Sequence, residues 1–312
     1  MKMTKKLLFI PLFFIILIAI YGVINILNST KEVLPSSAMK IYIKASDEVS
    51  KDKLQVNWKY VAALDSVRLK KDFSKANIND ARNIAQNFIA INNSHNKFKD
   101  SKYQLLSLEQ VANKLSYSKK EKRQAFKFVG LLKDKYLVTV DDYKKSFIKE
   151  LAPEAIKIYK DYDILPSITI GQASLESNWG RSDLSSKYNN LFGIKATKSW
   201  KGKTVKMKTS ENYKNTVMAT FRVYPSKKDS LDDYAEFLKN NKRYKENGVF
   251  KAVDYINQAK TIGKAGYSTK QDKAGENVYA DLLIQIIQEY NLQLIDNQVQ
   301  QDFFNIDSSI IN

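Results

Sequence analysis

The sequence predicts a mainly α-helical protein with one β-hairpin in its larger domain, preceded by a smaller helical domain and a single transmembrane helix. Three observations predict this fold class: one long apolar run, helical periodicity over most of the remaining chain, and one pair of alternating segments. The predicted divisions are a cytoplasmic N-terminus at residues 1–6, a transmembrane anchor at 7–27, a stalk at 28–51, a helical domain at 52–145, a second domain at 146–296 and a tail at 297–312.

The transmembrane prediction rests on residues 7–27, an uncharged apolar run that follows three lysines. A helix needs about 20 apolar residues to cross a bilayer core. The run is longer than the roughly 7–15 residues of a signal-peptide core, and no small-x-small cleavage site follows it. The lysines favour a cytoplasmic N-terminus, so the rest of the chain is expected outside the cell membrane. A cleaved signal peptide is the alternative.

The composition limits the chemistry that this chain can carry. It has no cysteine, which excludes thiol catalysis and zinc–thiolate sites, and His95 is its one histidine. A Ser-His-Asp triad or a histidine-rich metal site is therefore hard to assemble. Carboxylates must carry any proton transfer, and no metal and no cofactor are expected.

The formal net charge of +18 comes from 51 Lys and Arg against 33 Asp and Glu. Such a surplus attracts polyanions, and outside a membrane these are anionic wall polymers and lipid headgroups. No nucleic-acid recognition module is present, so nucleic acid is not expected as a partner. A lysine-rich but merely solvated surface remains the alternative.

The helical domain is predicted from apolar stripes and from capping boxes. Trp58, Val61 and Ala62 share one stripe, and the pairs Ser107/Gln110 and Ser118/Glu121 mark helix starts. Asp65 lies on the same stripe as Trp58. It is either a second catalytic carboxylate or an aspartate paired with Arg68 or a nearby lysine, and the paired form is favoured because carboxylates on apolar stripes are usually paired.

The second domain is predicted as helices around one hairpin. A helix ends near Asp163, and the next begins at Pro166 and stops at Gly180. Residues 204–209 and 217–224 alternate as two strands. Later helices are predicted from a box formed by Ser230 with Asp233 and from an apolar stripe between residues 278 and 287, with an irregular tail beyond Ile295.

Glu176 is the first candidate for chemistry. It lies four residues after Gln172 on one helix face, and Trp179 and the aromatic loop 188–192 follow. A carboxyl group against aromatic rings is partly desolvated, which raises its pKa and suits it to donate a proton. The rings also stack on sugar faces. A helical glutamate taken alone is more often a solvated side chain.

Longer motifs around Glu176 are more specific. The stretch PSITIGQASLESNWGRSDLSSKYNNLFGIKA is followed in order by KTSENY, ATFRVYPSKKDSLDDYAEFL, AGYST and VYADLLIQIIQEYNL. This series, over about residues 152–292, resembles the endo-β-N-acetylglucosaminidases of glycoside hydrolase family 73. The resemblance implies an α+β lysozyme-like catalytic domain. Together with the anchor, it is similar to the membrane-bound glucosaminidases of staphylococci.

The resemblance implies roles for individual residues. The family's general acid falls on Glu176, its hairpin glutamate on Glu211 and its active-site tyrosine on Tyr267. Glu211 could instead be an exposed turn residue, and Tyr267 a packing aromatic. The implied substrate-binding residues are Gln172, Trp179, Asn190 and Phe192, of which the aromatic pair could equally be core and Asn190 could only brace its loop.

Two departures from the family pattern affect the site. The family commonly has ESGWG, whereas this chain has Asn178 in place of the first glycine. The segment after Tyr267 lacks the proline that the family commonly has after the threonine, and the path to Tyr279 is longer. The resemblance therefore does not determine the groove wall near Tyr267.

The resemblance implies a membrane-anchored hydrolase that cleaves peptidoglycan glycan strands at the β-1,4 bond on the reducing side of N-acetylglucosamine. A membrane-protein partner, bound through the anchor or the helical domain, is a further expectation. The rivals are a lytic transglycosylase or muramidase, which lysozyme-like folds also host, and a non-catalytic scaffold that binds the cell wall.

Overall fold

The structure is a computed structural model that describes residues 33–92, 102–136, 141–211, 215–268 and 278–308. Within these ranges the chain is mainly helical, with two antiparallel sheets of two strands each. The first part of the chain forms α1 (Ser36–Ser50), α2 (Trp58–Arg68), α3 (Ile78–Gln86), β1 (Ile89–Ile91), β2 (Tyr103–Leu105), α4 (Leu108–Lys114) and α5 (Lys119–Tyr136).

The second part of the chain surrounds a central buried helix. Its elements are α6 (Asp142–Tyr162), α7 (Pro166–Ser177), α8 (Asp183–Tyr188), β3 (Thr204–Glu211), β4 (Asn215–Arg222), α9 (Lys227–Asn240), α10 (Lys242–Glu246), α11 (Tyr255–Lys264), α12 (Tyr279–Glu289) and α13 (Gln293–Ser308). Helix α7 is buried along almost its whole length and packs against α6, α11, α12 and α13. This helix therefore fixes whatever side chains its ends present.

Two hydrophobic clusters hold these elements. The N-terminal cluster takes its buried residues from between Leu34 and Leu132, with Trp58 at 1% exposure among its largest side chains. The C-terminal cluster takes its buried residues from between Phe147 and Val299. The two clusters lie on either side of residue 146, but the predicted domain boundaries stay predictions.

Several sequence predictions for the helical part are confirmed. Ser107 and Gln110 form a complete capping box at the start of α4, and Ser118 receives the backbone N–H of Glu121 at the start of α5. Asp65 is fully buried and paired: Arg68 Nε lies 2.6 Å from its carboxylate, and the Tyr42 hydroxyl donates to it over 2.7 Å. Asp65 is therefore a structural carboxylate.

The predicted stalk is wrong over residues 36–50, which form helix α1. Its apolar face, including Ala38, Tyr42 and Ala45, is buried in the N-terminal cluster. The interleaved polar residues Ser46 and Asp47 are buried too, and they obscure the helical period in the sequence. The short β1–β2 pair within the helical domain was not predicted, because three-residue strands carry too few alternations to be recognised.

The predicted start of α9 is also wrong. The cap is Ser226, whose hydroxyl accepts the N–H of Asp229, and the helix begins one turn before Ser230. The tail beyond residue 296 continues as α13, a correction to the expected irregular structure. Its buried positions include Asp296, Asn297 and Gln300, polar residues that hid the helix from an apolar pattern.

The predicted transmembrane segment, residues 7–27, lies outside the described residues. Within the described ranges, no helix combines the length and the apolar composition needed to cross a bilayer.

A polar seam joins the two clusters. Asp47 of α1 accepts hydrogen bonds from the Tyr255 hydroxyl at 2.6 Å and from Gln288 at 3.0 Å. Trp58 Nε1 donates to Asn291 over 2.9 Å. Burial raises the pKa of Asp47 to about 6, although the three hydrogen bonds that it accepts oppose this rise. The seam thus depends on hydrogen bonds that must all be satisfied at once.

Candidate active site

Glu176 lies in the last turn of α7, at the point where this buried helix reaches the surface. Pro166 occupies the first helical position, as the sequence predicted. Gly171 lets α12 approach closely, because a Cβ there would lie 2.8 Å from the Leu283 side chain. Glu176 itself is exposed. A rigid, tightly packed helix therefore presents one carboxylate to solvent.

The turn after Glu176 is left-handed at three consecutive residues. Asn178, Trp179 and Gly180 have φ of 51°, 59° and 77°. The Ser177 hydroxyl holds the turn, because it accepts the Gly180 N–H at 2.7 Å. Asn tolerates this conformation better than any other residue except glycine. This explains the sequence departure: Asn178 supplies the geometry for which the related sequences commonly use glycine.

Tyr267 follows helix α11. The chain leaves that helix through Gly266, which has φ of 72°, and the Tyr267 N–H donates to the Ile262 carbonyl at 3.3 Å. The Tyr267 ring is half-buried. It stacks on Tyr279 of α12 with ring centroids 5.3 Å apart and lies 6.4 Å from the Tyr244 ring. The Tyr267 ring thus packs against two other tyrosine rings and keeps part of its surface exposed to solvent.

The negative charge of Glu176 acts on the Tyr267 hydroxyl. The pKa of Tyr267 is raised well above its ordinary value, first by burial and then by the negative charge of Glu176. The same charge contributes to the raised pKa values of Tyr234 and Tyr279. Coulombic effects of this kind require proximity. All three phenols therefore lie within electrostatic range of the carboxylate and stay protonated at neutral pH.

Gln172, which the sequence predicted to bind substrate, is fully buried one helical turn before Glu176. Its Oε1 accepts a hydrogen bond from the Tyr234 hydroxyl, and its Nε2 donates to the Tyr279 hydroxyl at 2.7 Å. Its substrate-binding role stays a prediction. In this structure, its amide links two tyrosines beneath the Glu176 surface.

The loop after α8 is braced from within. Asn190 is 1% exposed, and its amide donates to the carbonyls of Ile194 at 3.0 Å and Arg222 at 2.9 Å. The next residue, Leu191, donates its N–H to the Ser230 hydroxyl at 3.1 Å. Ser230, which the sequence assigned to a helix cap, therefore holds this loop instead.

Phe192, in the same loop, contacts the aromatic residues of the candidate site. Its ring stacks on Tyr234 with centroids 4.0 Å apart and an interplanar angle of 10°. It is 5% exposed and belongs to the C-terminal cluster. Phe192 and Asn190 both shape the site from inside the protein, and direct contact of either residue with substrate stays a prediction.

Trp179 packs toward α6 and α12. Its ring meets Tyr290 edge-on at 4.4 Å and Phe147 at 6.1 Å, and Lys144 Nζ lies 5.2 Å from the ring centroid. These contacts compensate the left-handed backbone of a bulky residue, a strain of about 1–3 kcal/mol. The structure shows Trp179 as a support for the turn after Glu176, and substrate binding by its ring stays a prediction.

Glu211 is the last residue of β3 and pairs with Asn215 of β4. The predicted hairpin is confirmed, with Thr204 paired to Arg222 at its base. The Glu211 side chain and residues 212–214 lie outside the described part. Its catalytic role therefore stays a prediction from the sequence.

The structure thus brings Glu176, Gln172 and Tyr267 together, with Phe192 connected through Tyr234. Tyr234, Tyr244 and Tyr279 were not singled out from the sequence, although two of them lie inside the quoted motifs DDYAEFL and VYADLL. Their spacing along the chain gives no signal, because tertiary packing alone brings them into contact with Tyr267 or Gln172. Across the described residues, no three His, Cys, Asp or Glu side chains come together as a metal site would require.

Comparison with known proteins places this site in a family. Residues 152–292 match the glucosaminidase family model, described as mannosyl-glycoprotein endo-β-N-acetylglucosaminidase. The exo-glucosaminidase LytG of Bacillus subtilis is 40% identical over 163 residues, which cover 50% of this chain and 54% of LytG.

Two further relatives carry other names. The peptidoglycan hydrolase FlgJ of Vibrio parahaemolyticus is 36% identical over 47% of this chain and 48% of its own. A probable N-acetylmuramidase of Lactococcus lactis is 38% identical over 49% of this chain and 35% of its own. The chain therefore spans about half of the first two relatives and about a third of the last.

Proposed function

Since residues 152–292 belong to the glucosaminidase family of glycoside hydrolases, we propose that this protein hydrolyses the glycan strands of peptidoglycan, with Glu176 as the general acid. The bond proposed is the β-1,4 linkage on the reducing side of N-acetylglucosamine. Support comes from the family match and from the names of two relatives, a glucosaminidase and a peptidoglycan hydrolase.

One structural observation carries the proposal: an exposed carboxylate, Glu176, lies at the end of a buried helix and within electrostatic range of the half-buried Tyr267. A polymer needs an acid at the surface, and the rigid helix holds that acid at a fixed position. Tyr234 and Tyr279 are buried, and both hydrogen-bond to the Gln172 amide one turn before Glu176. General acid catalysis of glycoside cleavage requires a carboxyl group within hydrogen-bond reach of the glycosidic oxygen.

The proposed reaction begins when Glu176 donates its proton to the glycosidic oxygen as the bond to the sugar C1 breaks. Water then adds to C1. Either a second carboxylate removes a proton from that water, or the acetamido oxygen of the substrate first attacks C1. Glu211 is the candidate for the second carboxylate. A separation from Glu176 of about 6.5–9.5 Å would fit inversion, and about 5–5.5 Å would fit a retaining nucleophile.

The proposed location is the outer face of the cell membrane, with residues 7–27 as the anchor. Their length and the preceding lysines support this proposal. The catalytic part would then act on strands close to the bilayer. Cell fractionation followed by protease treatment of intact cells, after removal of the wall, tests it: the anchored protein should stay with the membrane and be degraded from outside.

A muramidase or lytic transglycosylase is the second candidate. A Lactococcus relative named as a probable N-acetylmuramidase supports it, and the same acid could serve either bond. The three activities leave different ends. Cleavage after N-acetylglucosamine exposes that sugar as the new reducing end, whereas muramidases expose N-acetylmuramic acid and transglycosylases leave an anhydro end.

The experiment is digestion of purified peptidoglycan by the chain from residue 33 onward, reduction of the products with borohydride, and mass spectrometry of the reduced sugars. Reduced N-acetylglucosamine ends are expected. Reduced muramic acid or anhydro ends would retain hydrolysis by this fold and overturn the bond assignment. The product lengths distinguish internal cleavage from release at chain ends, the action that the name of LytG describes.

Two variants accompany the digestion. Glu176→Gln keeps the size of the side chain and removes the proton donor, so product formation should fall by at least 100-fold. Glu109→Gln makes the same chemical change at an exposed position in the first turn of α4 and should leave the rate unchanged. Equal product formation by wild type and Glu176→Gln would exclude Glu176 as the acid, whereas no products from either protein would favour a wall-binding scaffold.

A further inference from the structure

Gln172 is the buried polar group most closely tied to the candidate acid. It lies on α7 one turn before Glu176, and none of its side chain reaches solvent. A buried amide in a hydrophobic cluster is costly unless its hydrogen bonds are satisfied. Both polar atoms of Gln172 have partners, and both partners are tyrosine hydroxyls near the Glu176 charge.

The chemistry of the amide fixes the direction of both hydrogen bonds. The oxygen of an amide only accepts, so the Tyr234 hydroxyl must donate to Oε1. The nitrogen only donates, so the Tyr279 oxygen must accept from Nε2. Tyr279 therefore keeps its own proton available for a different acceptor. A single amide thus orients two hydroxyl groups on different helices.

Each of these tyrosines stacks on a second aromatic ring of the candidate site. Tyr279, on α12, stacks on Tyr267 with centroids 5.3 Å apart and an angle of 27°. Tyr234, on α9, stacks on Phe192 at 4.0 Å. The two ring pairs come from distant parts of the chain, and both are hydrogen-bonded to the Gln172 amide. Displacement of that amide would remove a hydrogen bond from both pairs at once.

We propose that Gln172 is a positioning residue, which holds Tyr279 and Tyr234 so that the Tyr267 ring keeps a fixed place beside Glu176 during turnover. This inference rests on the proposed function, because it takes Glu176 as the proton donor. It differs from the sequence-based prediction that Gln172 binds substrate. A misplacement of about 1 Å in a reacting group can cost on the order of 100-fold in rate, so a residue without substrate contact can control kcat.

The first test is Gln172→Met, which keeps the length of the side chain and removes both hydrogen bonds. The expected result is a fall in kcat of at least tenfold with KM changed less than threefold.

Gln172→Glu is the conservative variant. A protonated carboxyl has one donor and one acceptor, so it can accept from Tyr234 and donate to Tyr279 as the amide does. Once ionised it can only accept, and it adds a negative charge beneath Glu176. This variant should approach wild-type kcat at low pH and lose activity as the pH rises, a pattern that a purely space-filling role would not produce.

The matched control is Gln258→Met. Gln258 is also fully buried, and its amide bonds only to backbone: it accepts from the Leu165 N–H at 2.7 Å and donates to the carbonyls of Asp163 and Val249 at 2.8 Å. Its loss should lower the melting temperature by a similar amount while leaving kcat close to the wild-type value. Identical kinetic effects of the two substitutions would overturn the positioning role.

A measurement without turnover separates this inference from the proposed function. Nuclear magnetic resonance of tyrosine rings, with Tyr267 assigned by a Tyr267→Phe variant, reports the mobility of that ring. We expect faster ring flipping in Gln172→Met and in Tyr279→Phe, and no further increase in the double variant. Unchanged flipping, or a rise in KM with kcat unchanged, would overturn the inference even if the enzyme is active. If the wild-type protein leaves the glycan uncleaved, the proposed function is overturned instead.

Discussion

Arg222 and Asp233 form a half-buried ion pair that fastens the hairpin to helix α9. Arg222 Nη1 lies 2.6 Å from one carboxylate oxygen of Asp233, and the Tyr224 hydroxyl donates to the other at 2.6 Å. The side chains of the pair are 15% and 19% exposed. The ion pair anchors the base of the hairpin, where Arg222 pairs with Thr204, and Glu211 lies at the opposite end.

The first prediction concerns this pair. Asp233→Ala leaves a half-buried guanidinium and a buried hydroxyl without their acceptor, so the free energy of unfolding should fall by about 2–4 kcal/mol. Urea denaturation measures the loss, and faster amide hydrogen exchange should be concentrated in β3 and β4.

The neighbouring Asp232→Ala is its control. That carboxylate pairs with Lys228 at 2.7 Å on the surface, with 44% and 56% of the two side chains exposed. Exposed pairs contribute about 0–1 kcal/mol. Equal destabilisation by the two substitutions would contradict the anchoring role of Asp233.

The second prediction concerns Asn178, the left-handed residue that follows helix α7. Asn178 has φ of 51°, so Asn178→Gly should leave stability within about 1 kcal/mol of wild type. Asn178→Val should cost about 1–2 kcal/mol or more, because a β-branched side chain is strained there. Thermal unfolding compares the two variants. Equal melting temperatures would show that the turn relaxes to another conformation.

The third prediction concerns pH. Burial raises the pKa of Asp296 to about 7, although the hydrogen bonds from Ser167 oppose the rise, and the pKa of Asp47 is about 6. Both lie above the value of about 3.9 expected in the unfolded chain. The folded state therefore binds more protons between about pH 4 and 7, and the stability that these two groups contribute is lost as the pH rises through that window.

Unfolding in urea at pH 5 and pH 8 measures this effect. Asp296→Asn removes one of the two groups, so the difference in stability between the two pH values should shrink. The variant should gain relative to wild type at pH 8, where the wild type must bury an ionised carboxylate. An unchanged difference would mean that Asp296 is not the titrating group.

The fourth prediction concerns the polar seam. A chain of residues 141–308 loses the hydrogen bonds of Asp47, Gln55 and Trp58 to the C-terminal cluster. At about 1 kcal/mol for each net hydrogen bond, the free energy of unfolding should fall by several kcal/mol. The fragment should still unfold in one step and keep its rate on soluble glycan within about threefold, because none of these bonds reaches Glu176.

Failure of that fragment to fold would make the helical domain a structural half of one unit. Full stability would instead contradict the contribution of the seam. If the fragment folds, product lengths on membrane-attached glycan, compared between the fragment and the anchored chain, would report whether the helical domain orients the site.

The predictability of the site differs between residues. Glu176 was found from its motif, and its exposed place at the helix end follows from Pro166 and the turn after Ser177. Ser230 and Asp233 were misassigned as a helix start, because a capping box in sequence looks the same whether its side chains cap a helix or reach elsewhere. Their true partners, Leu191 and Arg222, lie 39 and 11 residues away.

The helices α1 and α13 show the same limit. Their buried polar residues break the apolar period, so the sequence indicated a stalk and a tail. Two of these residues meet polar partners across the seam: Asp47 of α1 accepts from the Tyr255 hydroxyl, and Gln300 of α13 accepts the backbone N–H of Gln55.

The sequence by itself determined the family resemblance of residues 152–292, the hairpin and most helices, and it singled out Glu176 as the candidate acid, because these depend on local motifs and on periodic burial. Tertiary structure alone decided that the buried Gln172 amide joins Tyr234 to Tyr279 and that the Tyr267 ring stacks on Tyr279. The physical reason is that hydrogen-bond partners and ring stacks between distant segments are selected by packing geometry, which leaves no period in the chain.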